Sequence, residues 1–507
     1  MGIFKKSPSF NAIYEISSSA GIVFLGMFLG EILMFATRMI AARSLGPADY
    51  GVLSLGLVIL ALFQTLSLIG LPPAISRYIP FYLAKGQLSN VKGTITSGLK
   101  IAISASFFLA AFLFVSSQYI AVNIFKKGNL QIVISIFALT IPFTVAAEYF
   151  YASLRGFKKT KYAVLSKQLV FRSCTFLFLI ILLALNIKLV GASIAYSLGF
   201  IIFALTSLYF LNFRTFSFFK TNVSGSKMAK TLLSFSYPLI LSFFLKQTQN
   251  RVDTILLGVF TSSTQVGLYN AALPISQTLS IFLQSVLFMF APIIAELYAQ
   301  RKYNELKFIY KSVTKIILYL SLIPFLIMLF FPKSLLTLLF GKNYDSATGV
   351  LRILLFAFFI NSIFGPVGSM LINIKKTRHY MLGDLIGVFT SIALSLILIP
   401  RLGISGAAYG ILAYMFLANS IRLLSVYHYL KIQPFDINYL IIPVSVGLVV
   451  FILRQLLDTY LGVHELVILF ICAVSISFFI LVFAYRDFTK QGFNLADLVG
   501  EIRKKRI

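Results

Sequence analysis

Lys158-Lys159-Thr160-Lys161-Tyr162 leads into an apolar run over 162–186, which turns through a short loop into the pair Gly191-Ala192. A basic cluster leads into an apolar run long enough to cross a bilayer, for which about 20 residues suffice. The chain then repeats it. Lys375-Lys376-Thr377-Arg378-His379-Tyr380 opens another apolar run, which ends at a short loop and Gly406-Ala407. Earlier in each repeat, Asp49-Tyr50-Gly51-Val52 is matched by Gln265-Val266-Gly267-Leu268-Tyr269. The spans that follow end at Pro73 and Pro292, each leading into a basic amphipathic stretch. Offsets between the matching features stay between 215 and 219 residues, so the chain contains an internal duplication.

Along the whole chain, fourteen apolar runs are bounded by charged or Gly/Pro-rich breaks. They lie near 15–41, 49–70, 93–115, 130–154, 162–186, 189–211, 233–259, 265–289, 308–331, 348–372, 379–400, 403–427, 437–457 and 464–485. A helix satisfies its own backbone hydrogen bonds in lipid, so runs of this length are read as spanning helices. The duplication covers six spans. An even number keeps both halves in the same sense, related by an axis along the membrane normal. The expected fold is an all-α polytopic membrane protein with about fourteen transmembrane helices. Two pseudo-symmetric six-helix lobes occupy 1–220 and 221–432, and two added helices with a basic tail occupy 433–507. Parallel repeats of this kind place a substrate path between the lobes, opened to each side in turn.

Composition agrees with this reading. The chain has 507 residues, of which 59% are hydrophobic and only 12% charged, and its mean hydropathy is +0.92. A soluble domain carries about 25% charged residues. Disorder is excluded by 52 Phe and 25 Tyr, since disordered chains are poor in aromatics. The formal charge of +29 is explained by where the bases lie. With the N-terminus inside, 31 Lys and Arg fall on cytoplasmic segments and 8 on outer ones. The positive-inside rule therefore predicts both termini in the cytoplasm and a place in the cell membrane. The basic loops meet the anionic leaflet, and nucleic acid is not expected as a partner.

Charges inside the apolar runs are the candidate functional residues. Arg38, Arg172, Lys246, Arg251 and Arg352 fall there, as do Glu31, Glu148, Asp253 and Asp384. Each costs about 2.5–3.5 kcal/mol at mid-bilayer and needs a wet cavity or a partner. Spans one and seven occupy equivalent places in the two lobes. In span one, Glu31 and Arg38 share a face, about 10 Å apart along the axis. Span seven holds the most polar run of any span, Lys246-Gln247-Thr248-Gln249-Asn250-Arg251-Val252-Asp253. Lys246, Asn250 and Asp253 share one stripe, and Gln247 and Arg251 another.

One reading is a central cavity, positive on balance, for an anionic head group that carries hydroxyls. Arg38, Arg172, Lys246 and Arg251 would hold phosphates by charge-assisted hydrogen bonds. Gln247 and Asn250 would serve sugar hydroxyls, with Glu31 and Asp253 as coupling groups or charge partners. The competing reading is local pairing, Lys246 with Asp253 and Glu31 with a neighbouring base, while Arg38 and Arg352 snorkel to the interface. No G-x-x-x-x-G-K-[ST] is present, and no catalytic or metal-ligand constellation appears. Neither enzymatic activity nor a cofactor is expected.

Ala42-Arg43-Ser44-Leu45-Gly46-Pro47-Ala48-Asp49-Tyr50-Gly51, echoed by Gly267-Leu268-Tyr269-Asn270-Ala271-Ala272, resembles the multidrug/oligosaccharidyl-lipid/polysaccharide exporter superfamily. Within it the chain is most similar to Wzx-type polysaccharide flippases. The resemblance covers essentially the whole chain. It implies a two-lobed fold that moves polyprenyl-(pyro)phosphate-linked oligosaccharide from the cytoplasmic to the outer leaflet, for cell-surface glycan assembly. It also implies membrane lipids and other glycan-assembly membrane proteins as partners, and H+ or Na+ as the ion if transport is coupled. Two alternatives stand beside it. One is a cation-coupled multidrug exporter of the same superfamily, with Glu31 as coupling carboxylate. The other is a non-transporting scaffold of a glycan-assembly complex.

Overall fold

The computed structural model describes residues 8–217, 225–237, 240, 251–435, 437–457 and 465–490. Among the described residues every regular element is helical. The chain divides into two compact units, Met1–Asn270 and Ala271–Ile507.

The first unit opens with α1 (Pro8–Ser67), followed by α2 (Leu71–Ala84), α3 (Leu88–Tyr119) and α4 (Leu130–Gly156). Next, α5 (Thr160–Val164) widens into a π-helical stretch, Leu165–Phe171, and continues as α6 (Arg172–Ala184). Then come α7 (Lys188–Arg214), α8 (229–237), α9 (Val252–Phe260) and α10 (Ser263–Gln277), within which the second unit begins at Ala271. The second unit holds α11 (Leu279–Ala299), α12 (Tyr303–Phe330), α13 (Pro332–Phe340), α14 (Thr348–Ile363), α15 (Val367–Asn373), α16 (Thr377–Leu402), α17 (Ile404–Leu430), α18 (Ile437–Leu456) and α19 (Glu465–Lys490).

Ten of the described helical segments are long and apolar enough to cross a membrane. The first of them, Leu25–Ser67, contains a break at Gly46 and so supplies spans one and two. Gly46 sits at φ 73°, a conformation that costs an L side chain but not glycine. Pro47 then restarts the helix at its first position, where its missing N–H is no loss. α18 and α19 carry shorter apolar stretches over Ile441–Leu456 and Ile471–Phe483. Span seven is described only at its two ends, as α8 and α9.

The duplication is visible in the turns. At the end of α4, Lys158 takes φ 59°; its amide donates to Arg155 O at 2.9 Å, and that of Lys159 to Leu154 O at 3.0 Å. At the end of α15, Lys375 takes φ 62°, with amide bonds Lys375 to Ile372 O at 3.1 Å and Lys376 to Leu371 O at 2.8 Å. Gly86 and Arg301, which follow α2 and α11, form a second such pair with the same bonding pattern. All four are Schellman closures of a helix C-terminus. The Gly-Ala pairs have a shared cause as well. A Cβ on Gly191 would press on Leu182 and Ile187, and one on Gly406 on Leu398 and Ile399, so each opens a tight helical hairpin.

Each unit has its own core. In the first, Phe171 packs on Phe200 and Phe203 with ring centroids 4.7 and 5.6 Å apart. In the second, Phe290, Ile294, Tyr310, Met370 and Val426 form one buried cluster. Elsewhere large apolar side chains such as Phe108, Val115 and Phe389 face outward. On a spanning helix that face meets lipid.

Candidate functional site

The site is built around the break in α1. Beyond Pro47 the helix resumes with Tyr50 buried and the Ser54 hydroxyl donating to Tyr50 O at 2.7 Å. Gly51 and Gly267, equivalent in the duplication, bring α1 and α10 together backbone to backbone. A Cβ on Gly51 would strike Ser263 O and Gly267 N, and one on Gly267 would strike Pro47 O and Gly51 N. The contact is reciprocal, as at a two-fold axis, and no larger residue fits on either side.

This crossing holds α9 and α10 beside the charged part of α1. Arg251 lies immediately before α9, and Asp253 is in its first turn. Asp253 is 5% exposed and accepts a hydrogen bond from the Tyr269 hydroxyl, and Tyr269 is itself fully buried. One residue on, the Thr254 hydroxyl donates to Asn270 Oδ1 at 3.3 Å. Arg38 lies within electrostatic reach of Arg251, Tyr50 and Tyr196, and Arg251 within reach of Asp253. Among these groups, a direct bond joins the Tyr269 hydroxyl to Asp253, with Arg251 two residues before it.

The other expected residues behave differently. Arg172 Nη2 donates to Glu31 Oε1 at 2.9 Å, so these two pair with each other, and Arg172 Nη1 is buried with no hydrogen-bond partner among the described residues. Lys246, Gln247 and Asn250 lie outside the described residues. Arg352 is exposed. No cluster of His, Cys, Asp and Glu suited to a metal ion occurs among the described residues.

Asp384 anchors a second constellation, in the second unit. It accepts from Arg422 Nη2 and from the Tyr414 hydroxyl at 2.9 Å. Arg422 Nη1 donates to Asn419 Oδ1 at 3.2 Å, Asn419 reaches Asn361 at 2.9 Å, and the guanidinium stacks 4.3 Å from the centroid of the Tyr380 ring. In the first unit, Lys167 Nζ donates to Glu148 Oε1 at 2.5 Å.

Here the structure corrects one reading of the sequence. Lys315 and Arg422, two of the 31 bases counted on cytoplasmic segments, are 5% and 8% exposed within α12 and α17. The signal available for Arg422 was Asp384, a carboxylate in an apolar run that needed a base. Tyr50, Tyr196 and Tyr269 carried no such signal, because tyrosine is ordinary in a spanning helix.

A family model described as polysaccharide biosynthesis protein matches residues 17–298, and one described as MatE matches residues 238–397. The chain is 27% identical over 402 residues to an uncharacterized membrane protein of Methanocaldococcus jannaschii, covering 76% of this chain and 78% of that one. It is 23% identical over 508 residues to stage V sporulation protein B of Bacillus subtilis, covering 93% and 96%. In fold it is similar to the lipid II flippase MurJ in an inward closed conformation. That likeness has a TM-score of 0.70 at 16% identity and covers 93% of this chain and 99% of the other.

Proposed function

The chain belongs to the polysaccharide biosynthesis protein family, and from that premise we propose that it flips a polyprenyl-(pyro)phosphate-linked oligosaccharide from the cytoplasmic to the outer leaflet by alternating access. It is a multi-pass membrane transporter of the multidrug/oligosaccharidyl-lipid/polysaccharide exporter superfamily. In the proposed arrangement, lobes 1–220 and 221–432 enclose the path, 433–507 is an addition, and both termini face the cytoplasm of a cell membrane.

What supports the reading is that Arg251 opens α9 two residues before the buried Asp253, and that the Arg38 guanidinium is near enough to interact with it. Two guanidiniums brought together repel, and an anion joining them relieves that repulsion. A pyrophosphate suits the pair, because guanidinium binds phosphate oxygens in bidentate fashion. Asp253, occupied by Tyr269, removes only part of the positive charge. Lys246, Gln247 and Asn250 precede Arg251 in sequence and would extend the site toward the sugar hydroxyls. Arg172 with Glu31 would form a separate ion pair that opens or closes as the helices move.

The test uses purified protein in proteoliposomes and follows leaflet exposure of a labelled polyprenyl-pyrophosphate oligosaccharide, with and without a H+ or Na+ gradient. Protein-dependent transfer is expected, reduced at least tenfold by Arg251→Ala and by Arg38→Ala at normal protein abundance. Undiminished transfer in both variants would remove the phosphate clamp. A cation-coupled drug exporter is the second reading, favoured by the MatE match over residues 238–397. Gradient-driven uptake of cationic dye with no lipid transfer would establish it instead. Absence of both activities, with surface glycan dependent on the protein in cells, would point to a scaffold.

A further inference from the structure

The short segment between α3 and α4 lies on the side that the basic-residue distribution assigns to the outside. Its Lys127 Nζ donates three hydrogen bonds, all to main-chain carbonyls: Phe125 O at 2.9 Å, Gly258 O at 2.5 Å and Thr261 O at 2.8 Å. An ammonium has three N–H groups, so every donor is used. Gly258 and Thr261 mark the C-terminal end of α9, where carbonyls lack helical partners and the helix dipole is negative. Burial pulls the Lys127 ammonium below the usual lysine range, while three acceptors favour its charged form.

The surroundings are shaped to receive this side chain. Lys126 takes φ 54°, an uncommon conformation for a long side chain, and the turn is closed by the Lys127 amide donating to Ala121 O at 2.7 Å. Beneath the ammonium, Gly258 leaves room for Leu55 and Phe125, whose side chains a Cβ would strike. Beside it lies a cavity of about 600 Å³ lined by Asp49, Lys126, Lys127, Asn129 and Ser262. Water in such a polar cavity would solvate the ammonium once it let go.

We propose that Lys127 is a latch, a positioning residue that ties α9 to the helices of the first repeat and must release before the outer face opens. α9 spans about 13 Å, with the latch at one end and Arg251 and Asp253 at the other. Releasing the latch frees the element that carries the proposed phosphate clamp. The inference rests on the alternating-access reading, and it predicts that the carbonyl bonds are present in one state of the cycle and absent in the other.

The test places Asn129→Cys and Ser262→Cys, both at exposed positions, in the full chain with Cys174→Ser and Cys472→Ser. Spin labels on the pair, in lipid nanodiscs, report the distance across the latch without any substrate. One short distance is expected with Lys127 present, a second and longer population with Lys127→Met, and recovery of the short one with Lys127→Arg, which still donates. An unchanged distribution in Lys127→Met would overturn the proposal. The same cysteine pair, joined by a reducible bis-thiosulfonate, should stop transfer of labelled lipid-linked oligosaccharide and release it on reduction. Full transfer while joined would also overturn the latch. If the unlinked protein transfers nothing, the flippase reading fails, and the distance measurement alone decides the latch.

Discussion

Lys167 in the first unit and Asp384 in the second stand 217 residues apart, each seven residues into its helix after a threonine of the repeated basic motif. Both anchor an ion pair, but with opposite charge. Lys167 meets Glu148, and their side chains are 31% and 23% exposed; the ammonium also lies 4.7 Å from the Tyr151 ring centroid. Asp384 meets Arg422, whose side chain is only 9% exposed and which is further held by Asn419 and Tyr380. The duplication kept a compensated pair at this depth, but neither the sign of the charge nor the identity of the partner helix. Lipid demands that a buried charge be matched; it does not demand which residue supplies which sign.

The largest effect that could break this comparison is expected from Asp384→Ala. It leaves Arg422 buried without its carboxylate, at a cost of about 3–5 kcal/mol, read as lost yield of folded protein and a lowered unfolding temperature in detergent. Replacing both partners, Asp384→Leu with Arg422→Met, should recover most of that loss, because apolar side chains are at home there. Lys167→Ala should cost about 1 kcal/mol or less, since water reaches Glu148 and screens it. Equal losses at the two sites would show that exposure does not separate them. The smallest effect sharpens the comparison at the turns. Lys158→Gly and Lys375→Gly should each stabilise by about 0.5–1 kcal/mol, because glycine relieves the left-handed strain at some entropic cost. Unequal gains would mean that the duplicated turns differ in their surroundings.

Much of the fold was legible. The apolar runs have the length of a bilayer crossing, and Gly46-Pro47 reads as a stop and restart within α1. The doubled motif spacing reappears as doubled Schellman turns at Lys158 and Lys375. The site was legible only in part. Arg38, Arg251 and Asp253 stand out because a charge in an apolar run is costly wherever it points. Arg172 and Glu31 stand out for the same reason, yet they pair with each other. Nothing in the local sequence distinguishes a charge that lines a path from one that neutralises a neighbour 141 residues away.

The sequence alone determined that this is a helical, internally duplicated membrane protein, because hydrophobic length and repeat spacing are local and additive along the chain. Tertiary structure decided which charges meet. Arg422 sits under Asp384 rather than in a loop, Tyr269 caps Asp253, Gly51 meets Gly267 with no room for a methyl group, and Lys127 crosses 131 residues of chain to reach the carbonyl of Gly258. These are contacts between segments distant in sequence, set by how helices pack, and the amino-acid types involved are compatible with many other pairings.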